Sequence, residues 1–456
     1  MSTSDYKQDA LKAKDKLAEV SPTMCLAKWN QTSLHLPTGL TNSCYHPPLH
    51  EIDADAVKLN PAALHNTAEK LNQRQQMLRG EQPEGCSYCW NMEKTGEMSD
   101  RHYRSGEPWA MQDFEDIRKN PIDEHWTPRY VEVNFNNACN LKCSYCSPQF
   151  STTWGKEIDR YGQYPTSPPH NAPEHFQGRR RPVPNREDNP YVEAFWKWWP
   201  TLYKNLKHFR MTGGEPMMDK NTYKVFQYII DHPKKDLHLN VTSNMCPADK
   251  KIKAKYFNMA QEICMQEKVE HMMQFVSVDA YGKKAEYIRN GLDFNYMMDN
   301  VEEFLERIPA RNSITFICTY NNLSITSMDK LLEKILELRT KYSKTYQRVW
   351  FDVPLLRQPA WQQITLLPES YQGVHEDNIK YMQDNSGEEN GLHIFKDFEI
   401  QKMQRNLAHW RENADASTQN KKNFYAFFNE HDRRRTTRFL NTFPEMEEFW
   451  EECKNA

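Results

Sequence analysis

Three cysteines, Cys139, Cys143 and Cys146, stand close together in the middle of the chain in the spacing CxxxCxxC. They directly follow a run of β-branched and aromatic residues that predicts a strand, so they lie on a strand-to-helix loop. A structural zinc ion needs four closed ligands, whereas a four-iron cluster held by three thiolates keeps one iron open for another molecule. The spacing therefore favours a reactive iron–sulfur site.

A second motif, Gly213-Gly214-Glu215-Pro216, follows another predicted strand. Two glycines allow the backbone to approach a bound molecule closely, and a carboxylate beside them can accept hydrogen bonds from an ammonium group. Taken alone, the motif is equally typical of a plain Gly-Gly turn.

Together, the two motifs resemble the signature of the radical S-adenosylmethionine (radical SAM) enzymes, which have CxxxCx(aromatic)C after the first barrel strand and GGEP after the second. Tyr145 matches the aromatic position and would lie beside adenine. In that family SAM chelates the open iron, and one electron cleaves it to a 5'-deoxyadenosyl radical that abstracts hydrogen from substrate. The resemblance implies SAM and a 4Fe-4S cluster as cofactors, and a reductant such as flavodoxin or ferredoxin as a partner.

Weaker resemblances follow the later strands. A polar cluster near the cofactor matches Ser243 and Asn244, although Met245 replaces the family's usual glycine. Ser277 and Arg289 match residues that contact the methionyl carboxylate, although Ala280 departs from that pattern and Arg289 could instead be a surface helix residue. The resemblance thus implies that the cofactor is bound by Tyr145, Gly213, Gly214, Glu215, Pro216, Ser243, Asn244, Ser277, Asp279, Arg289 and, by position only, Leu355.

Four further cysteines lie upstream: Cys25, Cys44, Cys86 and Cys89. Their layout, CX13GX4C followed after a gap by CX2C, resembles the twitch auxiliary module, the shorter form of the SPASM domain. In that module four cysteines hold a 4Fe-4S cluster with no open iron, which implies that it would accept an electron from a substrate radical. Twitch modules commonly follow the barrel, whereas this one precedes it.

Two alternatives remain for these upstream cysteines, a four-cysteine zinc site and unliganded thiols. His35, His46 and His50 lie nearby and could substitute as ligands, although we expect them to face solvent. The remaining cysteines are expected to be small buried hydrophobes. Of these, Cys318 on the fifth strand could face the barrel lumen and donate a hydrogen atom to a substrate radical.

Short apolar runs alternate with helical patterns beyond residue 129, which predicts an α/β fold with a parallel sheet or an incomplete barrel. The resemblance narrows this to a partial (β/α)6 barrel whose strand-to-helix loops carry the site. The predicted strands are Tyr130 to Phe135, His208 to Thr212, Leu237 to Thr242, Gln274 to Asp279, Ile314 to Thr319 and Val349 to Val353.

We predict an N-terminal cysteine-rich twitch-like module at 1–105, a linker at 106–128, the barrel at 129–370 and a C-terminal helical segment at 371–456. One helix is expected near residues 53–77, and 91–128 reads as a connector. Residues 161–190 contain seven prolines and the run Arg179, Arg180, Arg181, which indicates a long surface loop or a lid. The aromatic stretch 195–199 is expected to pack a helix.

Composition excludes several classes of protein. The net charge is -3 and the sequence pI about 6.6, so no nucleic-acid partner is expected. A mean hydropathy of -0.90 and the lack of a long apolar run exclude a membrane span. The first twenty residues carry no secretory or transit pattern, so we expect a cytoplasmic protein.

We therefore predict a radical SAM oxidoreductase that abstracts hydrogen from its substrate, oxidising or cross-linking a peptide or protein. One alternative is a radical SAM enzyme that dehydrogenates or rearranges a small molecule, a carbohydrate or a nucleotide. The other is a non-catalytic zinc-binding interaction protein.

Overall fold

The computed structural model describes residues 3–172, 174, 181–388 and 391–456. The chain divides into two compact units, each built from several stretches of sequence. The first unit contains Met1–Asn136, Arg181–Gly213 and Lys235–Asn240, and the second contains Asn137–Arg180, Gly214–Lys234 and Val241–Ala456. Arg179 and Arg180 of the predicted lid lie outside the described residues.

The strands are β1 (Gln31–His35), β2 (Leu40–Asn42), β3 (His50–Glu51), β4 (Tyr130–Asn134), β5 (Lys142–Cys143), β6 (His208–Thr212), β7 (Lys234–Ser243), β8 (Val269–Ser277), β9 (Arg289–Asn290), β10 (Ser313–Ile317) and β11 (Val349–Asp352).

The helices of the first half are α1 (Thr3–Ala18), α2 (Ala27–Asn30), α3 (Ala54–Leu59), α4 (Ala68–Leu78), α5 (Ser87–Lys94), α6 (Asp100–Gly106), α7 (Pro108–Met111), α8 (Phe114–Lys119), α9 (Thr152–Tyr161) and α10 (Pro190–Asn205). Those of the second half are α11 (Lys220–Asp231), α12 (Lys250–Met265), α13 (Gly282–Ile288), α14 (Phe294–Arg307), α15 (Met328–Tyr342), α16 (Gln372–Asp384), α17 (Asp397–Glu412), α18 (Thr418–Arg435), α19 (Phe439–Thr442) and α20 (Glu447–Lys454).

In the first unit, β6, β4 and β1 are parallel neighbours, with Tyr130 opposite both His208 and Gln31. Strands β2 and β3 continue the sheet from β1 in antiparallel pairing. The predicted boundary at residue 129 does not follow this division, because β1 of the cysteine-rich segment pairs directly with β4. Strand β1 was not predicted. Its residues, QTSLH, are mostly polar and show no strand-like alternation of apolar residues, although nearly all of them are buried.

In the second unit, β8, β10 and β11 are parallel neighbours, with Ile314 opposite both Gln274 and Val349. Strand β7 follows β6 in the strand order of the first unit and precedes β8 in that of the second. The prediction of an α/β chain with a largely parallel sheet is confirmed. The specific (β/α)6 arrangement stays a prediction.

All six predicted strands are present, within a few residues of their expected bounds. Strand β8 begins at Val269, earlier than expected, because its first residues VEHM place the polar Glu270 and His271 next to each other and show no strand-like alternation. The loops that follow these strands carry most of the predicted site residues, as the parallel fold class requires.

Two predictions about the N-terminal half were wrong. The single helix expected at 53–77 is broken at Asn60, whose side chain caps a short 3-10 turn that begins at Pro61, because proline cannot donate an intrahelical hydrogen bond. The connector expected at 91–128 contains α6, α7 and α8 instead. These helices bury Trp109, Phe114 and Ile117 in the core of the first unit.

The predictions of helices at 195–199 and in the C-terminal segment agree with the structure. The aromatic stretch 195–199 lies within α10 and buries Phe195, Trp198 and Trp199, as expected for packing. The C-terminal segment at 371–456, which we predicted to be helical, contains α16, α17, α18, α19 and α20. No helix in the described part of the chain is both long enough and apolar enough to cross a membrane.

Candidate functional site

The three clustered cysteines lie on residues 137–151 of the second unit, which we call the cysteine loop. Its short strand β5 pairs antiparallel with β9, so that Cys143 lies opposite Arg289. The loop ends where the Ser151 hydroxyl accepts a hydrogen bond from the backbone N–H of Trp154 and caps α9. All three thiols are free in the structure.

Burial raises the pKa of all three thiols, that of Cys146 to about 12. For Cys139 and Cys146 the next cause is repulsion from the neighbouring Cys143 thiolate. Three thiolates are therefore stable together here only beside a compensating positive charge, which a bound metal centre supplies. The donor set of the cysteine loop fits an iron–sulfur cluster.

The carboxylate of Glu215 is buried in the second unit and makes three hydrogen bonds. It accepts from the Ser243 hydroxyl at 2.7 Å, from the backbone N–H of Asn244 at 2.7 Å and from the backbone N–H of Met217 at 3.0 Å. Burial raises the pKa of Glu215 despite these bonds. The structure thus brings together Glu215, Ser243 and Asn244, three of the residues predicted to bind the cofactor.

This polar group is connected to the cysteine loop. The Asn244 side chain donates a hydrogen bond of 3.0 Å to Asn140 Oδ1, and the Glu215 backbone N–H donates to the carbonyl of Ala138. The charge of Glu215 also contributes to the raised pKa of Cys139. Two motifs separated by about seventy residues of sequence therefore meet at one place.

Tyr145 of the cysteine loop forms a polar network with the buried side chains of Asp279 and Arg289. The Tyr145 hydroxyl donates to Asp279 Oδ2 at 2.8 Å, and Arg289 Nη2 donates to Asp279 Oδ1 at 2.9 Å and to the Tyr145 hydroxyl at 2.7 Å. The Arg289 Nε lies 2.8 Å from Asp279 Oδ2 without the angle of a hydrogen bond. Arg289 is thus a buried ion-pair partner of Asp279, not the surface helix residue we considered as an alternative.

The two glycines of the GGEP motif have positive φ angles, 75° at Gly213 and 31° at Gly214. A Cβ atom at Gly213 would lie 2.0 Å from the Asn134 side chain, which is itself buried. Gly213 is therefore required both for its backbone conformation and for its lack of a side chain.

The other predicted positions in the second unit lie at strand ends. Ser277 is the last residue of β8, and Pro216 opens a 3-10 turn whose N-cap is Glu215. Leu355 follows β11 and forms an isolated parallel bridge with Tyr320. The Cys318 thiol is fully buried and donates to the carbonyl of Asp279 at 3.4 Å; its role as a hydrogen donor stays a prediction.

The four upstream cysteines, Cys25, Cys44, Cys86 and Cys89, line one pocket of the first unit, which we call the N-terminal pocket. They come from four different local elements and lie at 25–44 and 86–89, as the motif spacing predicts. Burial, followed by repulsion from the other three thiolates, raises the pKa of Cys25 to about 12. The four sulfurs are thus close enough to influence one another.

Hydrogen-bond donors surround these sulfurs. The backbone N–H groups of Arg101 and His46 partly offset the rise that burial causes in the pKa of Cys89 and of Cys44. Backbone N–H groups near the sulfur ligands stabilise iron–sulfur clusters and shift their reduction potentials. The chemistry of the N-terminal pocket therefore fits a thiolate-bound metal centre.

Buried cations lie next to the N-terminal pocket. Lys28 lines it and donates to Gln73 at 2.7 Å, whereas Lys70 donates to the hydroxyls of Thr32 and Thr41. Neither lysine forms an ion pair with any carboxylate in the described ranges, and both interact electrostatically with Cys44. Because a buried charge is costly without a counter-charge, these lysines favour an anionic occupant of the pocket.

The expectation that the nearby histidines face solvent was wrong. The side chains of His46 and His50 are only 10% exposed, and His35 is partly buried, which lowers its pKa. His46 lines the pocket, stacks on Tyr88 and makes a 2.6 Å hydrogen bond with Asp100. Gly39, the glycine of the spacing motif, has a φ of 64°, and a Cβ there would lie 2.2 Å from the Tyr191 ring.

Among the described residues, no group of three or more His, Cys, Asp or Glu side chains is placed to hold a single metal ion.

Several residues of these sites were missed by sequence reasoning. Asn140, Lys28 and Lys70 are polar residues within or beside cysteine motifs, and nothing in their spacing separates them from solvated residues. Arg435 also interacts electrostatically with Cys143 although it lies far along the chain. The run of three arginines that contains it, 433–435, is the one signal that could have drawn attention.

Comparison with known proteins gives one curated relative of low similarity. The chain is 24% identical over 115 residues to the GTP 3',8-cyclase of Aliarcobacter butzleri, a radical SAM enzyme. The match spans 25% of this chain and 27% of that protein. The chain is thus similar in sequence to a radical SAM enzyme over about a quarter of its length. No family model matches it.

Among solved structures, the chain is similar to Streptococcus suis SuiB. The SAM-bound SuiB structure has a TM-score of 0.37 and 13% identity, covering 74% of this chain and 65% of that one. SuiB bound to its precursor peptide SuiA gives the same TM-score and identity over 74% and 64% of the two chains. The chain therefore spans less than two thirds of the SuiB length.

Proposed function

We propose that this protein is a radical SAM enzyme with a 4Fe-4S cluster held by Cys139, Cys143 and Cys146. The observation that carries the proposal is the buried Glu215 carboxylate, fixed by Ser243 and Asn244 and close enough to the cysteine loop to raise the pKa of Cys139. A carboxylate in this place suits an ammonium group that would sit between it and the cluster. Sequence similarity to a GTP 3',8-cyclase supports the same assignment.

When bound, the cluster supplies the electron that cleaves SAM to methionine and a 5'-deoxyadenosyl radical. The residues of this chain bind and orient. Cys139, Cys143 and Cys146 would hold the cluster through three thiolates, and the Glu215 carboxylate would accept hydrogen bonds from the methionyl ammonium. Asp279 holds Arg289 against the cysteine loop, and Tyr145 contacts both. The burial of Cys143, Glu215, Asp279 and Arg289 would limit the access of water to the cofactor.

The N-terminal pocket is proposed to hold an auxiliary 4Fe-4S cluster on Cys25, Cys44, Cys86 and Cys89. The buried Lys28 and Lys70, which interact electrostatically with Cys44 and have no carboxylate partner in the described ranges, support an anionic metal centre there. With four thiolate ligands it would lack an open iron, which suits electron transfer from a substrate radical. An oxidation or cross-linking reaction follows from that assignment.

The substrate we propose first is a peptide or protein side chain. A nucleotide is the second candidate, because the curated relative is a GTP cyclase. Purified enzyme, reductant and SAM should be incubated with a candidate peptide or with GTP, and 5'-deoxyadenosine above the substrate-free level identifies the productive class. A partner reductant such as flavodoxin or ferredoxin would supply the electron in the cell.

Anaerobic purification followed by iron, sulfide and zinc analysis tests the assignment. We expect about eight irons per chain, on the basis of four per cluster, and release of 5'-deoxyadenosine with dithionite and SAM. Replacing the three loop cysteines by alanine should abolish this release, whereas Cys86→Ala with Cys89→Ala should preserve it and halve the iron. A colourless, zinc-containing protein without SAM cleavage would instead establish the zinc-binding alternative.

A further inference from the structure

The last turn of α18 carries three consecutive arginines with different surroundings. Arg433 is 61% exposed and pairs with Glu430 at 2.6 Å. Arg434 is buried, pairs with Glu430 at 2.6 Å, and donates to the carbonyls of Gly162 and Gln163. Arg435 is 2% exposed, and its ion pair is with Glu157 at 3.5 Å and not with Glu430. Arg433 is therefore an exposed cation, Arg434 is a buried cation with a close carboxylate partner, and Arg435 is a buried cation whose carboxylate partner lies further away.

Arg435 points to the helix that follows the cysteine loop. Its nearest carboxylate is Glu157 of α9, 3.5 Å away, and its guanidinium lies over the Trp154 ring at 5.2 Å. The Trp154 indole N–H in turn donates to the carbonyl of Cys143 at 2.9 Å. One side chain, that of Trp154, therefore separates the Arg435 guanidinium from the backbone of the cysteine loop.

Charge is not balanced at this point. The single carboxylate of Glu157 serves three cations, with Lys142 at 2.6 Å, Arg435 at 3.5 Å and Arg434 at 3.8 Å. The Nη1 of Arg435 is buried and has no hydrogen-bond partner among the described residues. A buried donor without a partner is costly. The cations around Glu157 also leave an excess of positive charge, which the thiolates of the cysteine loop would offset.

The end of α18 is fixed firmly enough to place Arg435. Thr436 has a left-handed backbone with φ 55° and ends the helix directly after it, a conformation that costs a β-branched residue about 1–2 kcal/mol. The Asp432 carboxylate accepts hydrogen bonds from the Thr437 hydroxyl and the Phe439 backbone N–H. The position of Arg435 is therefore fixed by the end of α18.

We propose that Arg435 is a positioning residue of the proposed cluster on Cys139, Cys143 and Cys146, and that its fixed positive charge raises the reduction potential of that cluster. The inference rests on the proposed function. Gaining one electron makes the cluster more negative by one charge, and a buried cation one residue layer away stabilises that state because little solvent screens the interaction. Electrostatic action of Arg435 on Cys143 agrees with this placement.

The test is a redox titration of the purified, iron-loaded full chain with dithionite, followed by electron paramagnetic resonance. The signal that changes on addition of SAM identifies the cluster with an open iron. We expect Arg435→Met to shift that midpoint to a more negative potential by about tenfold in the one-electron equilibrium, or about 59 mV. Arg435→Lys should restore most of the potential, since the charge is kept.

Two further variants separate electrostatics from structure. Arg433→Met removes a cation from the same helix turn and should leave the midpoint unchanged. Glu157→Gln removes the opposing charge and should shift the midpoint to a more positive potential, a sign that general loosening of the fold does not produce. Circular dichroism and iron content are measured on every variant.

The outcomes distinguish a failure of the role proposed for Arg435 from a failure of the proposed function. Loss of iron in Arg435→Met that Arg435→Lys restores also supports the inference, whereas loss that Arg435→Lys does not restore overturns it. An iron-loaded Arg435→Met with an unchanged midpoint, or an equal shift in Arg433→Met, overturns it as well. A parent protein that binds no iron overturns the proposed function and this inference with it.

Discussion

Cys143 and Arg289 face each other across the antiparallel pair of β5 and β9, and the Arg289 Nη1 donates to the Cys143 sulfur at 3.6 Å. Because Asp279 binds the same guanidinium, the central cysteine of the loop is tied to the end of β8 through one side chain. The cysteine loop is therefore preorganised by residues more than 130 positions away in the sequence.

Breaking the buried ion pair should destabilise the protein strongly. We expect Arg289→Met to lower the free energy of unfolding by about 3–5 kcal/mol, because it leaves the Asp279 carboxylate buried without its cation. Urea unfolding of the metal-free protein measures the change. In the double variant with Asp279→Asn the loss should be smaller than in Arg289→Met alone, and simple additivity of the two changes would contradict a specific pair.

The carboxylate of Glu215 should matter for SAM binding more than for the cluster. Glu215→Gln keeps the size but removes the charge, so we expect SAM affinity to fall by about 10- to 100-fold, since a hydrogen bond to a charged group contributes about 1.5–3 kcal/mol. Equilibrium dialysis with labelled SAM measures it, and the iron content should be unchanged.

Ser243→Ala is the matched control for Glu215→Gln. It removes one hydrogen bond to the carboxylate and leaves the charge in place. We therefore expect a loss of SAM affinity that is clearly smaller. If Ser243→Ala weakened SAM binding as much as Glu215→Gln, the charge of Glu215 would not be the recognition element.

Stability should fall in acid through Glu157. Burial alone would raise its pKa, but Arg435, Lys142 and Tyr164 outweigh burial and lower the pKa to about 2. A depressed folded-state pKa gives stability that is present above the unfolded pKa, about 4.3, and is lost as the pH falls towards 2. We expect the loss to be about 3 kcal/mol.

Urea unfolding of the metal-free protein between pH 7 and pH 3 measures this dependence. Glu157→Gln should be less stable than the parent at pH 7 and should show a flatter pH profile, so the two curves approach each other in acid. Parallel curves would show that the ion pairs of Glu157 contribute little.

The buried lysines of the N-terminal pocket should have opposite effects in the metal-free and metal-loaded protein. Lys70→Met removes an uncompensated buried charge, so we expect equal or greater stability without metal. Metal affinity of the pocket should fall by about tenfold, because the counter-charge of the thiolates is lost. Unfolding of the metal-free protein and competition with a chelator measure the two effects.

Lys58→Met provides the comparison for this variant. Lys58 is an exposed lysine of α3 paired with Asp55 at 2.8 Å, and such pairs contribute little. We expect its stability and metal affinity to stay near those of the parent. A strong loss of stability in metal-free Lys70→Met would mean that this lysine acts as a structural hydrogen-bond donor to Thr32 and Thr41 and not as a counter-charge.

The sequence was sufficient for the parts of the site that motifs encode. Cys139 and Glu215 were expected to meet because both follow parallel strands, whose carboxyl ends lie at the same edge of a sheet. The strands themselves were found because they are short, apolar and separated by helices. Gly213 was expected to permit a close approach, and its neighbour is the Asn134 side chain.

Other parts could not be predicted because they depend on contacts between distant segments. The pairing of Arg289 with Asp279 and Tyr145 changes a solvent-facing candidate into a buried one, and no local pattern reports it. The same applies to Arg435, whose neighbours on α9 lie about 280 residues earlier. The polar strand β1 lacks periodicity, so its burial is decided by its partner β4 and not by its own residues.

The parallel pairing of β1 with β4 has a practical consequence for making smaller versions of this protein. A fragment that starts at residue 129 would expose the backbone donors and acceptors of β4 along one side, where another molecule could add a strand. Such a fragment should therefore self-associate or precipitate. Attempts to obtain a minimal catalytic piece should retain the segment from Gln31 to His35.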